Sequence, residues 1–220
     1  KGDTKEAAQA GFDDSRWRTL DLPHDWSVEG PYSPTFASAT GYLPGGVAWY
    51  RKSLDIPAGQ QGKLVFIYFE GVYRNSEVLI NGKPAGMRRN GYISFFYDIT
   101  PLVKSGEKNS IAVRVDHSKS ADSRWYTGSG IYRDVYLIFA NTVHISPWGV
   151  YFTSRESNEN LYLASVQTSL ENAGQEAATL TVVQELTDRQ NRIVAQSAQK
   201  MTVGAKEKET LMQEMKVRNP

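Results

Sequence analysis

The chain has no cysteine. That excludes a disulfide framework and thiolate metal sites, but does not separate a cytosol from a bacterial periplasm. Histidine is almost as scarce: His24, His117 and His144 are far apart, and none has the His-x-x-x-His or Glu-x-x-His spacing with which a helix gathers a metal. Zinc catalysis is disfavoured, and no metal or other cofactor is expected. No stretch approaches the roughly 20 apolar residues of a membrane span, and Lys1 to Phe12 lacks the apolar centre of a signal peptide. A signal, if one existed, has been removed. An excess of either charge is missing too, because 25 basic residues against 24 acidic ones leave a formal charge of +1 with no long block of one sign. Such a surface has no electrostatic footprint for nucleic acid or anionic lipid and suits a neutral partner.

Nucleotide motifs are also absent. There is no Walker-type loop, and the dense cluster Gly128-Ser129-Gly130 lacks the third glycine and following helix of a dinucleotide site. Nor is that cluster the Gly-x-Ser-x-Gly strand-to-helix elbow of a serine nucleophile, so a catalytic triad is disfavoured.

What is present is β signal almost throughout. At 220 residues, 40% hydrophobic and 22% charged, the chain has the composition of a soluble globular protein with one large or two modest domains. Trp49 to Ile56 alternates roughly with period two, ends at Pro57, and is followed by a Gly-rich turn. Lys63 to Glu70 is a nearly continuous β-branched and aromatic run, as expected of a sandwich-core strand. Ser76 to Ile80 followed by Asn81-Gly82 is a hairpin signal, because both turn residues accept positive φ, and Lys83 to Gly86 begins the return strand. Further strands are expected at Ile93 to Tyr97, at Asn109 to Asp116 with Ile111, Val113 and Val115 on one face, and at Arg133 to Phe139 with Val135, Leu137 and Phe139 on one face.

The character changes near Thr142, where tryptophan and tyrosine become sparse. The expected domains are therefore residues 1–141 and 142–220. In the second, Val143 to Pro147, Tyr162 to Leu170, Ala178 to Leu186, Ile193 to Val203 and Glu209 to Val217 read as strands at the spacing of an immunoglobulin-like sandwich. The segment is shorter than the roughly 100 residues such a domain usually needs, so one or two closing strands are expected to be missing. Lys200 to Val217 also admits a helical reading, because Lys, Glu, Gln and Met favour helix; Gly204, Val203, Thr210 and Val217 tip the reading to strand. A polar opening without strand pattern and an uncapped end at Val217 to Pro220 make the chain look excised from something larger.

Aromatic and polar residues concentrate in one loop. The run from Asp122 to Asp134 places Arg124, Trp125 and Tyr126 on a Gly-flanked connection between strands. Aromatic faces pack against the C–H faces of a pyranose while Arg and Asp satisfy its hydroxyls, so this is the composition of a sugar site. The competing reading is equally physical: Trp and Tyr at strand ends close sandwich cores, and Arg124 can simply pair with Asp122. A second loop, Pro23 to Glu29, mixes an imidazole, two carboxylates and an indole. It reads as an N-terminal edge capping the sandwich, since no partner can be named for it from sequence.

Leu22-Pro23-His24-Asp25-Trp26, Gly45 to Lys52, Phe69-Glu70-Gly71-Val72, Val78 to Gly82, Gly91-Tyr92 with Phe95 and Asp98-Ile99-Thr100, and Gly128 to Val135 are ordered as in family 2 glycoside hydrolases. From about Leu22 to Phe139 the chain resembles the sugar-binding domain of that family, most like its β-galactosidase branch in gut bacteria. The resemblance implies an all-β fold: a jelly-roll-like, galactose-binding-type sandwich, then an immunoglobulin-like sandwich. It also implies a downstream (β/α)₈ barrel carrying two catalytic glutamates, so no catalytic residue is expected in this chain. In relatives a polar side chain before the Gly-Ile-aromatic-Arg motif reaches the sugar, which maps to the loop Asp122 to Tyr126. Many relatives place an aspartate six positions before the glycine, where this sequence has Arg124, with Asp122 two residues earlier. Arg124 is the first candidate for the sugar contact and Asp122 the second, while Trp125 and Tyr126 either wall the pocket or pack below it. The expected partner is a β-galactoside together with the barrel, with no nucleic acid or membrane. The full-length enzyme is a possible homo-oligomer, and the resemblance favours a periplasmic or secreted bacterial location. Two other classes compete, a self-sufficient carbohydrate-binding module and a structural spacer. A β-glucuronidase or β-mannosidase parent is the alternative within the enzyme class.

Overall fold

The computed structural model describes residues 2–119, 126–158 and 160–218. It divides into two units, residues 1–139 and 140–220. Both are built of antiparallel β-sheet, so the fold is all-β, as the residue patterns require.

The strands of the first unit are β1 (Gly46–Asp55), β2 (Leu64–Phe69), β3 (Ser76–Ile80), β4 (Lys83–Arg88), β5 (Phe95–Asp98), β6 (Lys108–His117) and β7 (Val135–Ala140). They form a four-stranded sheet in the order β1-β6-β3-β4 and a three-stranded sheet in the order β5-β2-β7. The β3–β4 hairpin turns at Asn81 and Gly82 with φ of 52° and 76°, the positive values that this dipeptide tolerates. Alternation sets the facing: Val78 and Ile80 of β3 and Val113 and Val115 of β6 point to the same core as Val65, Ile67 and Phe69 of β2. The two sheets thus close as a sandwich, and within the three-stranded sheet Phe69 of β2 stacks on its cross-strand partner Phe95 of β5 at a centroid distance of 4.9 Å. Val135, Leu137 and Phe139 of β7 pack on this core from its margin.

The outer face of the four-stranded sheet carries two arginines that hold the N-terminal segment. Arg51 of β1 has a side chain only 5% exposed. It donates to the Asp14 carboxylate at 2.9 Å and to the carbonyls of Ala7, Gln9 and Ala10 at 2.5, 3.0 and 3.3 Å. Those carbonyls belong to or follow a single 3-10 turn at Lys5–Ala8, and the guanidinium also lies over the Phe12 ring. Arg114 of β6 grips Asp3 with two hydrogen bonds of 2.7 and 2.9 Å and reaches Glu77 and Asp116. A segment with no strand pattern in its sequence is therefore fixed to the sheet by the planar donors of two arginines.

The second unit contains β8 (Val143–Asn158), β9 (Leu161–Asn172), β10 (Ala178–Thr187), β11 (Ile193–Val203) and β12 (Lys208–Arg218). Its sheets are β12-β9-β8 and β10-β11. The helical alternative for Lys200 to Val217 is not realised, because β12 pairs along its whole length with β9 and buries Gln213, Met215 and Val217 at every second position. The strand expected to end at Pro147 instead resumes and runs to Asn158. Its register against β9 jumps between Ile145 and Val150, so the proline and the positive-φ Trp148 sit where no ladder bond is required. The apolar core is small, with Leu170, Val182 and Val203 buried. Polar residues share the space: Gln213 bonds Ser197, and Asn172 donates to the carbonyls of Glu176 and Val203.

Two predictions test the N-terminal clamp. Arg51→Ala is expected to lower the unfolding free energy by about 2 kcal/mol in urea titration, because several acceptors lose a buried donor at once. The Asp3 carboxyl is held below its ordinary value of 3.8 by the hydrogen bond from Arg114. Its contribution is therefore complete above that value and is lost as pH falls through the lower folded value. Asp3→Asn should lower the unfolding midpoint at pH 6 and flatten this acid limb in thermal unfolding measured from pH 6 to pH 2.

Candidate functional site

The segment that follows the aromatic loop is stitched into the first unit from both sides. His24 N–H donates to the Ile131 carbonyl at 2.7 Å and Trp26 N–H to the Ser129 carbonyl at 3.0 Å. On the opposite side Gly130 and Tyr73 exchange N–H···O bonds of 2.8 and 2.9 Å. Trp26, at 2% exposure, plugs the core, and its indole N–H donates to the Gly45 carbonyl. The loop read as an N-terminal edge therefore caps the sandwich, and residues 128–131 are its partner. Gly130 has φ of +127°, and a Cβ there would strike the Tyr50 hydroxyl and come within 2.7 Å of the His24 carbonyl. Only glycine fits between these groups.

Asp25 is the polar centre of the stitch. One carboxylate oxygen accepts the N–H of Ser27 at 2.9 Å and of Ser129 at 2.8 Å. The other accepts the phenol of Tyr126. Gly128, with φ of +69°, makes room for that oxygen, since a Cβ would lie 2.6 Å from it. Tyr126 is otherwise 44% exposed. Desolvation, and then the bond to the Asp25 carboxylate, push its phenol above the usual tyrosine range.

Behind this layer runs a buried hydrogen-bond chain. The His117 Nδ1 lies 2.7 Å from the Ser129 hydroxyl, which lies 2.6 Å from the Ser27 hydroxyl, itself 2.8 Å from the Pro44 carbonyl. A serine beside a histidine superficially resembles an activated nucleophile. Ser129 and Ser27 are fully buried and His117 is 3% exposed, so no substrate reaches the pair, and its role is to bind loop to sheet. At the rim, His24 Nδ1 meets the Tyr50 hydroxyl at 2.8 Å while Nε2 faces Arg18 at 3.0 Å and Glu29 at 3.2 Å. Arg18 closes on Glu29 at 2.8 Å, and its hydrogen bond holds that carboxyl below the usual range.

Of the expected site residues, Asp122, Arg124 and Trp125 lie outside the described residues. Tyr126 is described and is 44% exposed. Sequence reasoning did not assign Asp25, Ser27 or His117 a place here. One signal was available for His117: the period-two face of Ile111, Val113 and Val115, continued one step, puts the imidazole on the core side at the end of β6. Nothing comparable joins Asp25 to Ser129 and Tyr126, which lie about a hundred residues away. A cavity of about 270 Å³ lies elsewhere, among Phe12, Asp14, Arg51 and Asn109, and touches none of the Asp25 cluster.

Gly130→Ala tests the stitch. It is expected to cost at least about 2 kcal/mol of stability or to prevent folding, read by circular dichroism and thermal unfolding, because both the backbone conformation and two fixed neighbours oppose a side chain.

Comparison with known proteins places this geometry in a family. Residues 11–141 match the family described as "Glycosyl hydrolases family 2, sugar binding domain". The whole chain is 43% identical to Beta-galactosidase BoGH2A of Bacteroides ovatus, covering 26% of that protein. Over 78% of its length it is 38% identical to a putative beta-glucuronidase of Formosa agariphila, covering 17% of it. Among solved structures, a glycosyl hydrolase family 2 member from Bacteroides cellulosilyticus superposes on the whole chain with a TM-score of 0.93 at 35% identity, the match spanning 29% of that chain. A beta-glycosidase from Bacteroides vulgatus does so over 98% of the chain with a TM-score of 0.85 at 40% identity, spanning 27% of that structure. The chain thus spans under a third of the length of each of these relatives. Since the family match takes in more than half of its residues, the chain belongs to glycosyl hydrolase family 2, with the sugar-binding domain of that family in its first unit.

Proposed function

We propose that the chain is the non-catalytic N-terminal region of a retaining exo-glycosidase that hydrolyses terminal β-galactosides. The observation that carries this reading is identity of 43%, along the entire chain, to a beta-galactosidase of which it makes up about a quarter. The loop with Asp122, Arg124, Trp125 and Tyr126 then completes a sugar pocket built mostly by a (β/α)₈ barrel, whose two glutamates supply acid/base and nucleophile. On this reading the second unit is an immunoglobulin-like domain between them in the chain.

The physical logic is preorganisation. A hydroxyl-binding group on a rigid sheet needs little further ordering when the pocket forms, so its interaction is available to bind sugar and orient it against the glutamates. Separated from the barrel, the same loop offers one wall and a few donors, which gives weak affinity and no turnover. The fixed Tyr126, the glycines beside it and the Asp25 anchor support such a loop root.

A β-glucuronidase parent is the second reading, favoured by the relatives of that name and by a solved beta-glucuronidase with a TM-score of 0.91 at 29% identity. The guanidinium of Arg124 also suits a uronate carboxylate. The complete enzyme, assayed on nitrophenyl β-galactoside and β-glucuronide, separates the two. Preference for the galactoside, no turnover by residues 1–220 alone, and a fall of about 10- to 100-fold in kcat/KM for Arg124→Ala are expected. Robust hydrolysis by the 220-residue chain, or an Arg124→Ala enzyme as active as its parent, contradicts the proposal. Calorimetry of residues 1–220 with galactose tests for a stand-alone binding module, which tight binding would reveal.

A further inference from the structure

Asp25 makes more hydrogen bonds than capping requires. The two backbone donors of the stitch, Ser27 and Ser129, are both satisfied by a single carboxylate oxygen. The second oxygen is turned outward to the Tyr126 phenol, and Gly128 leaves the space it occupies. The tyrosine so held is not core, being 44% exposed. Its ring is tied down at the hydroxyl, by Asp25. An exposed aromatic ring anchored through its hydroxyl, next to a loop of sugar-site composition, suits a pyranose-stacking wall, because part of the ordering cost has been met before the ligand arrives.

We infer that Asp25 is a positioning residue for saccharide binding, its outward oxygen locking Tyr126 as a preformed wall of the sugar pocket. The inference rests on the reading above, in which Tyr126 faces the sugar. Asp25 itself does not touch the substrate; it acts through the ring. The carboxylate is suited to this because it accepts three hydrogen bonds at once, two from backbone and one from the phenol. An asparagine keeps one oxygen for the two N–H groups and turns an amide NH₂ toward the phenol. Asp25→Asn therefore weakens the grip on Tyr126 while sparing the stitch. Burial, and then the bond to the Asp25 carboxylate, raise the phenol pKa, which agrees with a phenol that keeps its proton and donates it to that hydrogen bond.

The test uses the complete enzyme with Asp25→Asn, Tyr126→Phe and the double variant, assayed on nitrophenyl β-galactoside and β-glucuronide, with thermal unfolding of each. Each single variant is expected to raise KM about ten-fold while kcat stays within about two-fold, with the unfolding midpoint unchanged. The double variant should be no worse than either single one, because both remove the same interaction. An unchanged KM in the single variants, additive losses in the double, or an activity loss that only follows a lowered unfolding midpoint overturns the inference. A wild-type enzyme that hydrolyses neither glycoside overturns the functional reading and the inference with it. An active wild type with unaffected variants overturns the inference alone.

Discussion

Residues 128–131 are held on both sides by backbone hydrogen bonds, and almost everything distinctive in the first unit follows from that constraint. A strand-like segment at the end of a sandwich carries donors and acceptors that must be paired once buried. Here the partners are two loops distant in sequence, one around His24 to Trp26 and one around Tyr73. Packing them together demands glycine at 130, buries Ser27, Ser129 and His117 in a closed chain of hydrogen bonds, and brings the Asp25 carboxylate against Gly128. A buried polar network of this kind specifies one arrangement, because any slip leaves unsatisfied groups away from water.

The same economy governs the N-terminal segment. It has too few apolar residues to bury itself, and the sheet supplies arginines in place of hydrophobic surface. The register that opposes Trp49 to Arg114 puts Arg51, Arg114 and Glu77 on one face of neighbouring strands. Extended guanidinium forks can satisfy the backbone carbonyls of a turn that no strand pairs, and in Arg51 they do so while nearly buried. The second unit rests on a thinner hydrophobic core and depends more on continuous strand ladders, with β9 paired on both edges.

The motifs that carried the resemblance to family 2 turn out to be the places where distant segments meet. Pro23 to Trp26, Gly45, and Gly128 to Ile131 are one structural object. Val78 to Gly82 forms the hairpin that sets the register of β3 and β4. The first three of these motifs are therefore explained by a single packing arrangement, and the loop proposed to meet sugar precedes the last of them in the sequence.

By itself the sequence determined the all-β class, most strand positions, the Asn81-Gly82 turn and the core faces of β6 and β7, because those depend on local periodicity and on residues that accept positive φ. It tipped Lys200 to Val217 toward strand against the helical propensity of its charged and amide side chains, and β12 is a strand paired with β9 along its length. It ended a strand at Pro147, since a proline lacks the ladder donor, and only the irregular pairing opposite β9 shows how the strand continues. It recognised Tyr126 and Asp25 as residues of interest in two separate loops but could not join them. A carboxylate that bonds residues about a hundred positions away is settled by how the chain closes on itself, and no local pattern encodes that contact.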